Sequence, residues 1–246
     1  MDRSGAKPLV NLLINEPRNV LRANGSIKFI KGTAARSMNP PSKIINALKG
    51  SNTISAEVWF KPSNLKQDGP ARLLTISGGT SDRNFTIGQE GRSLQARVRT
   101  TSTSKNGLPA LESNALLTTK VTHAVYSFNR GRAKLYINGR LIKEQKISGT
   151  FDNWDKNYKI SMGNEVSNNR PWLGTIYYAA IYNRELNPNE ITARYEAGKD
   201  KRGVPVIDKV AENSNLFERK IAPILANHCL ECHDAANAKG DLDLSR

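Results

Sequence analysis

The chain has 246 residues, 38% hydrophobic and 24% charged, which suits one large all-β domain or a mid-sized domain with a small appendage. That balance excludes a disordered or collagen-like chain, and no apolar run approaches the roughly 18 residues of a transmembrane helix. The formal net charge is +15, and residues 1–198 carry all of it, with 29 of the 37 Lys+Arg and 14 of the 22 Asp+Glu. These basic residues are scattered singly, with no block of five and no nucleic-acid motif. A solvated basic surface is the plain reading and attraction to an acidic polysaccharide the next. Nucleic acid is not an expected partner.

Residues 1–50 are mixed and Pro/Asn-rich, broken by Pro40-Pro41. From Thr53 the texture changes to short alternating runs between turn residues, the pattern of antiparallel strands. Ile54, Ala56, Val58 and Phe60 share one face of the first strand, and Ser55, Glu57 and Trp59 share the other. Residues 72–76 form a second run, closed by Gly78-Gly79. Phe85 and Ile87 then face Leu94, Ala96 and Val98 across a turn at residues 89–92. Residues 123–128 make a further strand. Residues 134–137 and 140–142 flank Asn138-Gly139, a hairpin signal because both turn positions need positive φ. Residues 159–162 and 175–182 complete the set. Strands at this density, without βαβ alternation, predict an all-β fold, a sandwich of two antiparallel sheets.

A helix follows. Asn187 suits the N-cap, Pro188 the first helical position and Glu190 the reciprocal partner of a capping box, and Gly198 ends it. Residues 199–205 open a polar, breaker-rich linker. Leu216, Ile221 and Leu225 suggest a separate helical segment beyond it.

Three stretches carry a resemblance: Ala56-Glu-Val-Trp-Phe-Lys-Pro62, Ala133-Lys-Leu-Tyr-Ile-Asn-Gly139 and Gly174-Thr-Ile-Tyr-Tyr-Ala-Ala-Ile-Tyr-Asn-Arg-Glu-Leu186. In that order they resemble a laminin-G-like, concanavalin-type jellyroll, and Arg83-Asn-Phe-Thr-Ile-Gly-Gln89 resembles a bacterial subgroup of it. The resemblance implies a jellyroll over residues 20–198, after an extension at 1–19. The fold hosts lectins, adhesion modules, glycan hydrolases and spacers alike. Hydrolysis on this fold would use carboxylates two apart on one strand, facing one cleft. Residues 1–198 contain no such pair, and Asp152 and Asp155, three apart, point opposite ways. The chain is therefore expected to bind and not to cleave.

Glycan binding would use exposed aromatic rings. Trp59, Trp154 and Trp172 are the candidates, with Tyr126, Tyr158 and Tyr182 behind them. Trp59 on its strand reads as packed inward, whereas Trp154 and Trp172 lie beside polar loop residues and are the expected ligand-binding pair. Calcium is common in the family. Asp82, Asn84, Asn164 and Glu165 offer oxygen atoms, but at no recognisable ligand spacing, so they read as turn residues. His123 reads as a structural strand residue.

The two cysteines of the chain lie in Cys229-Leu-Glu-Cys-His233, the attachment signature of c-type haem. Two thiols three residues apart form thioethers to one porphyrin, and the next imidazole takes the iron. A zinc site from His228, Cys229, Cys232 and His233, a thioredoxin-like pair, and a plain disulfide or idle thiols remain the alternatives. Phe217-Glu-Arg-Lys-Ile-Ala-Pro-Ile-Leu225 and Gly240-Asp-Leu-Asp-Leu244 extend the match to the planctomycete-type cytochrome c domain. That resemblance implies haem c on Cys229 and Cys232, iron on His233, a redox partner protein and a periplasmic or cell-surface location. It assigns residues 199–213 to a linker and 214–246 to a truncated cytochrome c-type segment.

The expected whole is an exported bacterial fragment joining a glycan-binding jellyroll to an electron-transfer segment. The alternative is a carbohydrate-binding or adhesion module whose haem segment is idle. Residues 9–14 lack a cleavage pattern and no Met or His follows His233, so the chain reads as truncated at both ends, with a five-coordinate or water-ligated, high-spin iron. His233→Ala is expected to abolish the proximal iron bond, whereas His228→Ala leaves the haem absorption spectrum nearly unchanged.

Overall fold

A computed structural model describes residues 2, 4–23, 25–200 and 224. Residues 1–204 and 205–246 form separate units, and the sandwich belongs to the first. It has two seven-stranded antiparallel sheets. Sheet A runs β1 (Leu12–Ile14), β4 (Ala35–Ser37), β13 (Lys159–Met162), β6 (Ala71–Ser77), β7 (Arg83–Glu90), β8 (Ser93–Val98) and β9 (Leu111–Glu112). Sheet B runs β12 (Arg140–Lys146), β11 (Arg132–Ile137), β10 (Thr122–Asn129), β5 (Ile54–Pro62), β14 (Gly174–Tyr182), β3 (Ser26–Phe29) and β2 (Val20–Ala23). Helices α1 (Ser42–Ser51) and α2 (Pro188–Gly198) complete the unit, and no described helix is long and apolar enough to cross a membrane.

The inner faces pack Ile54, Ala56, Val58 and Phe60 of β5 against Ile76, Phe85 and other apolar residues of sheet A. Phe85 pairs with Val98 and Ile87 with Ala96, the register that the alternating pattern predicts. Asn138 and Gly139 both take positive φ, 51° and 78°, so the β11–β12 connection is the expected two-residue turn.

The strands of residues 1–50 were not legible in the sequence. Here β1 lies inside the segment read as an extension at 1–19, yet it pairs with β4 along an edge of sheet A. Between the sheets' N-terminal strands, α1 starts directly after Pro40-Pro41, buries Ile45 and Leu48, and stops at Asn52 with φ 49°. The proline pair that reads as a breaker thus serves as the helix start, where its missing N–H is not needed.

At the α2 start, the Asn187 side chain accepts a hydrogen bond from Glu190 N at 2.9 Å, as the cap predicts. The Glu190 carboxylate does not turn back to complete a capping box. It binds Arg184 at 2.7 and 2.8 Å and also Arg194, because two guanidinium groups compete for it.

The pairing of β6 with β7 is interrupted twice, between Arg72 and Leu74 and between Ile76 and Ser77. At the first bulge the strands approach so closely that a Cβ on Gly88 would meet the Ala71 carbonyl oxygen at 2.7 Å. Gly88→Ala is therefore expected to cost about 1–3 kcal/mol in urea unfolding. Gly79→Ala, whose Cβ would meet nothing within 4 Å, serves as the control and should stay within about 0.5 kcal/mol of the parent.

Candidate functional site

The two bulges decide what the outer face of sheet A displays. In an unbroken strand Arg72 would share a face with Leu74, and Arg83 with Phe85, so both arginines would point into the core. The extra residue at Leu73 instead sets Arg72 opposite Gly88, and the extra residue at Asn84 sets Arg83 opposite Ser77. Both guanidinium groups are thereby turned to the outer face. Beside them a row of polar residues crosses the sheet in register: Arg36, Ser161, Thr75, Thr86 and Arg97 on β4, β13, β6, β7 and β8.

Three loops close over this row. From the β13–β14 connection, Glu165 accepts Arg72 Nε at 2.9 Å and the Ser77 hydroxyl, and it is fully buried with Arg72. The Val166 carbonyl accepts Arg36 Nη1 at 3.0 Å. From the β6–β7 turn, the Thr80 carbonyl accepts from Arg72 Nη2 at 3.1 Å and from Arg83 Nη2. From the segment after β8, Asn106 accepts Arg97 Nη1 at 3.1 Å.

The electrostatics of the face are unbalanced. Glu165 serves Arg72, while Arg83 bonds only neutral partners, Thr80 and Thr86 at 3.4 Å, and its buried Nε has none. Arg97, half-buried, also bonds neutral groups, Asn106 and Gln95, and its Nε is likewise buried without a partner. Burial, followed by the charges of Arg72 and Arg97, pulls Arg83 down to about 9. Burial also lowers Arg72, against the raising effect of Glu165.

The outer face of sheet B is closed differently. There α2 lies over β5, β10 and the β11–β12 turn, where Thr192 donates to the Gly139 carbonyl at 3.1 Å. Glu57, 2% exposed, sits beneath it. Its oxygens meet His123 Nε2 at 3.0 Å, Trp59 Nε1 at 3.3 Å, the Tyr182 hydroxyl at 3.1 Å and Arg194 Nη1 at 3.4 Å. Trp59, His123 and Tyr195 stack in layers, the first two with centroids 4.5 Å apart. Trp59 is thus buried, but under α2 and not in the inter-sheet core that its strand position suggested. Burial opposes ionisation of Glu57, yet the His123 hydrogen bond, the His123 and Arg194 charges and the Tyr182 hydroxyl outweigh it and hold the carboxyl below its ordinary range. Burial and then the Glu57 charge push Tyr182 up, so its hydroxyl stays protonated and donates.

Trp154 and Trp172, the expected ligand-binding pair, are not solvent platforms. Trp172 is fully buried, edge-on to Phe29 and Phe60, with Nε1 donating to Gln89 at 2.8 Å. Trp154, 3% exposed, stacks on Phe151 at 4.4 Å and donates to the Arg99 carbonyl at 2.6 Å. Their polar sequence neighbours mislead because the loops fold back on the sandwich, and each indole N–H finds an acceptor there. Tyr126 lies in the core. Of the oxygen-bearing residues weighed for calcium, Glu165 is engaged by Arg72, and Asn84 exchanges hydrogen bonds with the Asp155 backbone at 2.9 Å. Asn164 accepts from the backbone of Glu165 and Arg170. Among the described residues no three His, Cys, Asp or Glu side chains gather as a metal would need. Cys229, Cys232, His233 and His228 lie outside the described residues. Sequence reasoning missed Arg72, Arg83 and Arg97; the first two signal themselves only as arginines that break the period of an apolar strand, and Arg97 keeps the period of its own.

A sequence profile of the concanavalin A-like lectin/glucanases superfamily matches residues 37–192. Among curated proteins none matches the chain in sequence. In fold the sandwich is similar to the receptor binding domain of botulinum neurotoxin C/D mosaic serotype, with TM-score 0.58 and 18% identity, over 77% of this chain and 48% of that one. It is similar to the CBM40 of the Ruminococcus gnavus IT-sialidase, solved bound to α2,3-sialyllactose, with TM-score 0.54 and 17% identity, over 69% and 96% of the two chains. A mutant of Trypanosoma rangeli sialidase displaying trans-sialidase activity gives TM-score 0.57 and 15% identity, over 79% and 30%. The chain thus spans about half the length of the neurotoxin domain, and likeness at these identities is one of fold.

The Glu57 network sets an acid limit on the sandwich. A carboxyl held below its ordinary value contributes stability that is full above about pH 4.5 and lost as pH falls through the lower folded value. Urea midpoints measured from pH 7 to pH 3 should show this loss. Glu57→Gln is expected to cost about 1–3 kcal/mol at pH 7 and to flatten the acid part of the profile.

Proposed function

The chain belongs to the concanavalin A-like lectin/glucanases superfamily, and from that footing we propose that residues 20–198 form a glycan-binding module that does not cleave its ligand. One observation carries the reading: the polar row from Arg36 to Arg97 crosses five strands of sheet A beneath three loops. The row's hydroxyls, Ser161, Thr75 and Thr86, are buried and bonded within the protein. The partly exposed guanidinium groups of Arg36 and Arg97 and the loops above are therefore what the face offers a sugar's hydroxyls, and loops on a rigid sheet are where binding residues concentrate. Glycosidic hydrolysis needs two carboxyl groups, one on either side of the scissile bond. On this face Glu165 is engaged by Arg72 and Ser77, and Glu112 accepts from Gln95 at 2.8 Å, which supports binding over cleavage. The CBM40 neighbour, bound to sialyllactose, lends the same support.

We further propose that Cys229 and Cys232 would hold haem c and that His233 would ligate its iron. The support is the donor set itself, two thiols and an imidazole within five residues, together with the flanking resemblance. Bound there, haem would supply one-electron transfer to a redox partner protein, and the reading carries with it a periplasmic or cell-surface location. The chain's own part is to present the thiolates and the neutral imidazole. Expression behind a signal peptide with a cytochrome-maturation system should yield haem that stays on the polypeptide in denaturing gels, and a glycan array on the same preparation should show binding. Glycan binding without a Soret band would leave only the jellyroll reading. A Soret band without glycan binding would remove it.

A further inference from the structure

We infer that the outer face of sheet A holds an oxyanion, the carboxylate or sulfate group of an acidic sugar, at Arg97 with Arg83 behind it. The inference rests on the glycan-binding reading and names the chemical class of ligand for that same face.

Arg72, Arg83 and Arg97 stand together here with one buried carboxylate, Glu165, while the partly buried Glu90 and Glu112 act on Arg97 without bonding it. Glu165 is committed to Arg72 and Ser77. Arg83 is fully buried, and its partners are a carbonyl and a hydroxyl. A buried guanidinium without an anionic partner is costly, and proteins rarely retain one without a use. Here the chain introduces it through a β-bulge, where a regular strand would have pointed that position at the core. In addition, Nε of Arg83 and Nε of Arg97 are both buried without partners. An unpaired N–H on a guanidinium fork is a donor that a planar or tetrahedral oxyanion satisfies, and the charge of Arg97 acts on Arg83. Arg97 is the half-exposed member and gives the site its entrance. Its neutral partners, Asn106 and Gln95, are weaker competitors than a carboxylate would be. The +15 net charge adds a long-range attraction for acidic chains.

Neutral sugars would leave both Nε donors unpaired and the Arg83 charge without a directly bonded anion. Discrimination should therefore favour the acidic ligand strongly, and salt should weaken it.

Isothermal titration of the full chain tests this with four probes: oligogalacturonate, a chondroitin sulfate oligosaccharide, cellohexaose and inorganic sulfate. At least one acidic oligosaccharide should bind tenfold or more tightly than cellohexaose, and the comparison of the first two separates a carboxylate from a sulfate ligand. Arg97→Gln should weaken that binding at least tenfold and Arg97→Lys by less, because the charge is kept and the fork is lost. Arg22→Gln, at an exposed arginine on β2 of the other sheet, should leave it unchanged. Arg97 is half-exposed, so its variants should fold, and an unchanged urea midpoint verifies that. Wild-type affinity in Arg97→Gln, an equal loss in Arg22→Gln, or binding of inorganic sulfate with no saccharide preference would overturn the inference. Cellohexaose bound as tightly as the acidic probes would overturn it while leaving the glycan-binding reading in place. Binding of no saccharide would overturn both.

Discussion

Two extra residues in the pairing of β6 with β7 constrain everything else on this face of the molecule. A strand alternates its side chains with period two, so the apolar residues Leu74, Ile76, Phe85 and Ile87 dictate where their neighbours point. The bulges at Leu73 and Asn84 break that dictate at two places and turn Arg72 and Arg83 away from the core. The consequences follow in order. Glu165 must come in from the β13–β14 loop to meet Arg72, the β6–β7 turn must offer its Thr80 carbonyl, and the loop after β8 must bring Asn106 to Arg97. The loops are thus organised by the arginines beneath them.

The two outer faces of the sandwich solve different problems. Over sheet B the chain lays its own helix, and Glu57 is satisfied by four side chains at once, two of them contributed by β14 and α2. That face is finished: Val125, Tyr136, Leu186 and Ile191 form a second small core there. Among the described residues loops rather than a helix lie over sheet A, and the polar groups beneath them are incompletely matched. A buried ion pair such as Arg72–Glu165 adds little net stability once its desolvation is counted, but losing either partner leaves a buried charge alone. Such a pair fixes the loop in one position more than it strengthens the fold. A preformed, unsatisfied donor set beside it is the arrangement expected of a binding surface that waits for a ligand.

Charge takes on meaning only through this geometry. Along the chain the basic residues are single and widely spaced, and nothing in their order marks a site. In the folded sheet Arg36, Arg72, Arg83 and Arg97 come from four strands and stand on one face. Glu165 bonds Arg72 directly and Glu90 and Glu112 act on Arg97 without bonding it, whereas Glu57 is under α2 and Glu185 pairs with Lys134 on sheet B.

Much was legible beforehand because it depends on local periodicity. Alternation from Thr53 onward determines the strands, Asn138-Gly139 determines the hairpin, Asn187-Pro188 determines the start of α2, and together they amount to an antiparallel sandwich. What the tertiary structure alone decided are contacts between distant segments. The short strands of residues 1–50 carry too few residues for a periodic signal, and they exist because sheet edges offer them hydrogen-bonding partners. Trp154 and Trp172 were drawn from the loops into the interior by acceptors on Arg99 and Gln89, 55 and 83 residues away. The arginine face depended on bulges, and a bulge is a property of two strands in register. A single strand's sequence shows only an arginine out of step, and the direction it finally points is settled by the strand beside it.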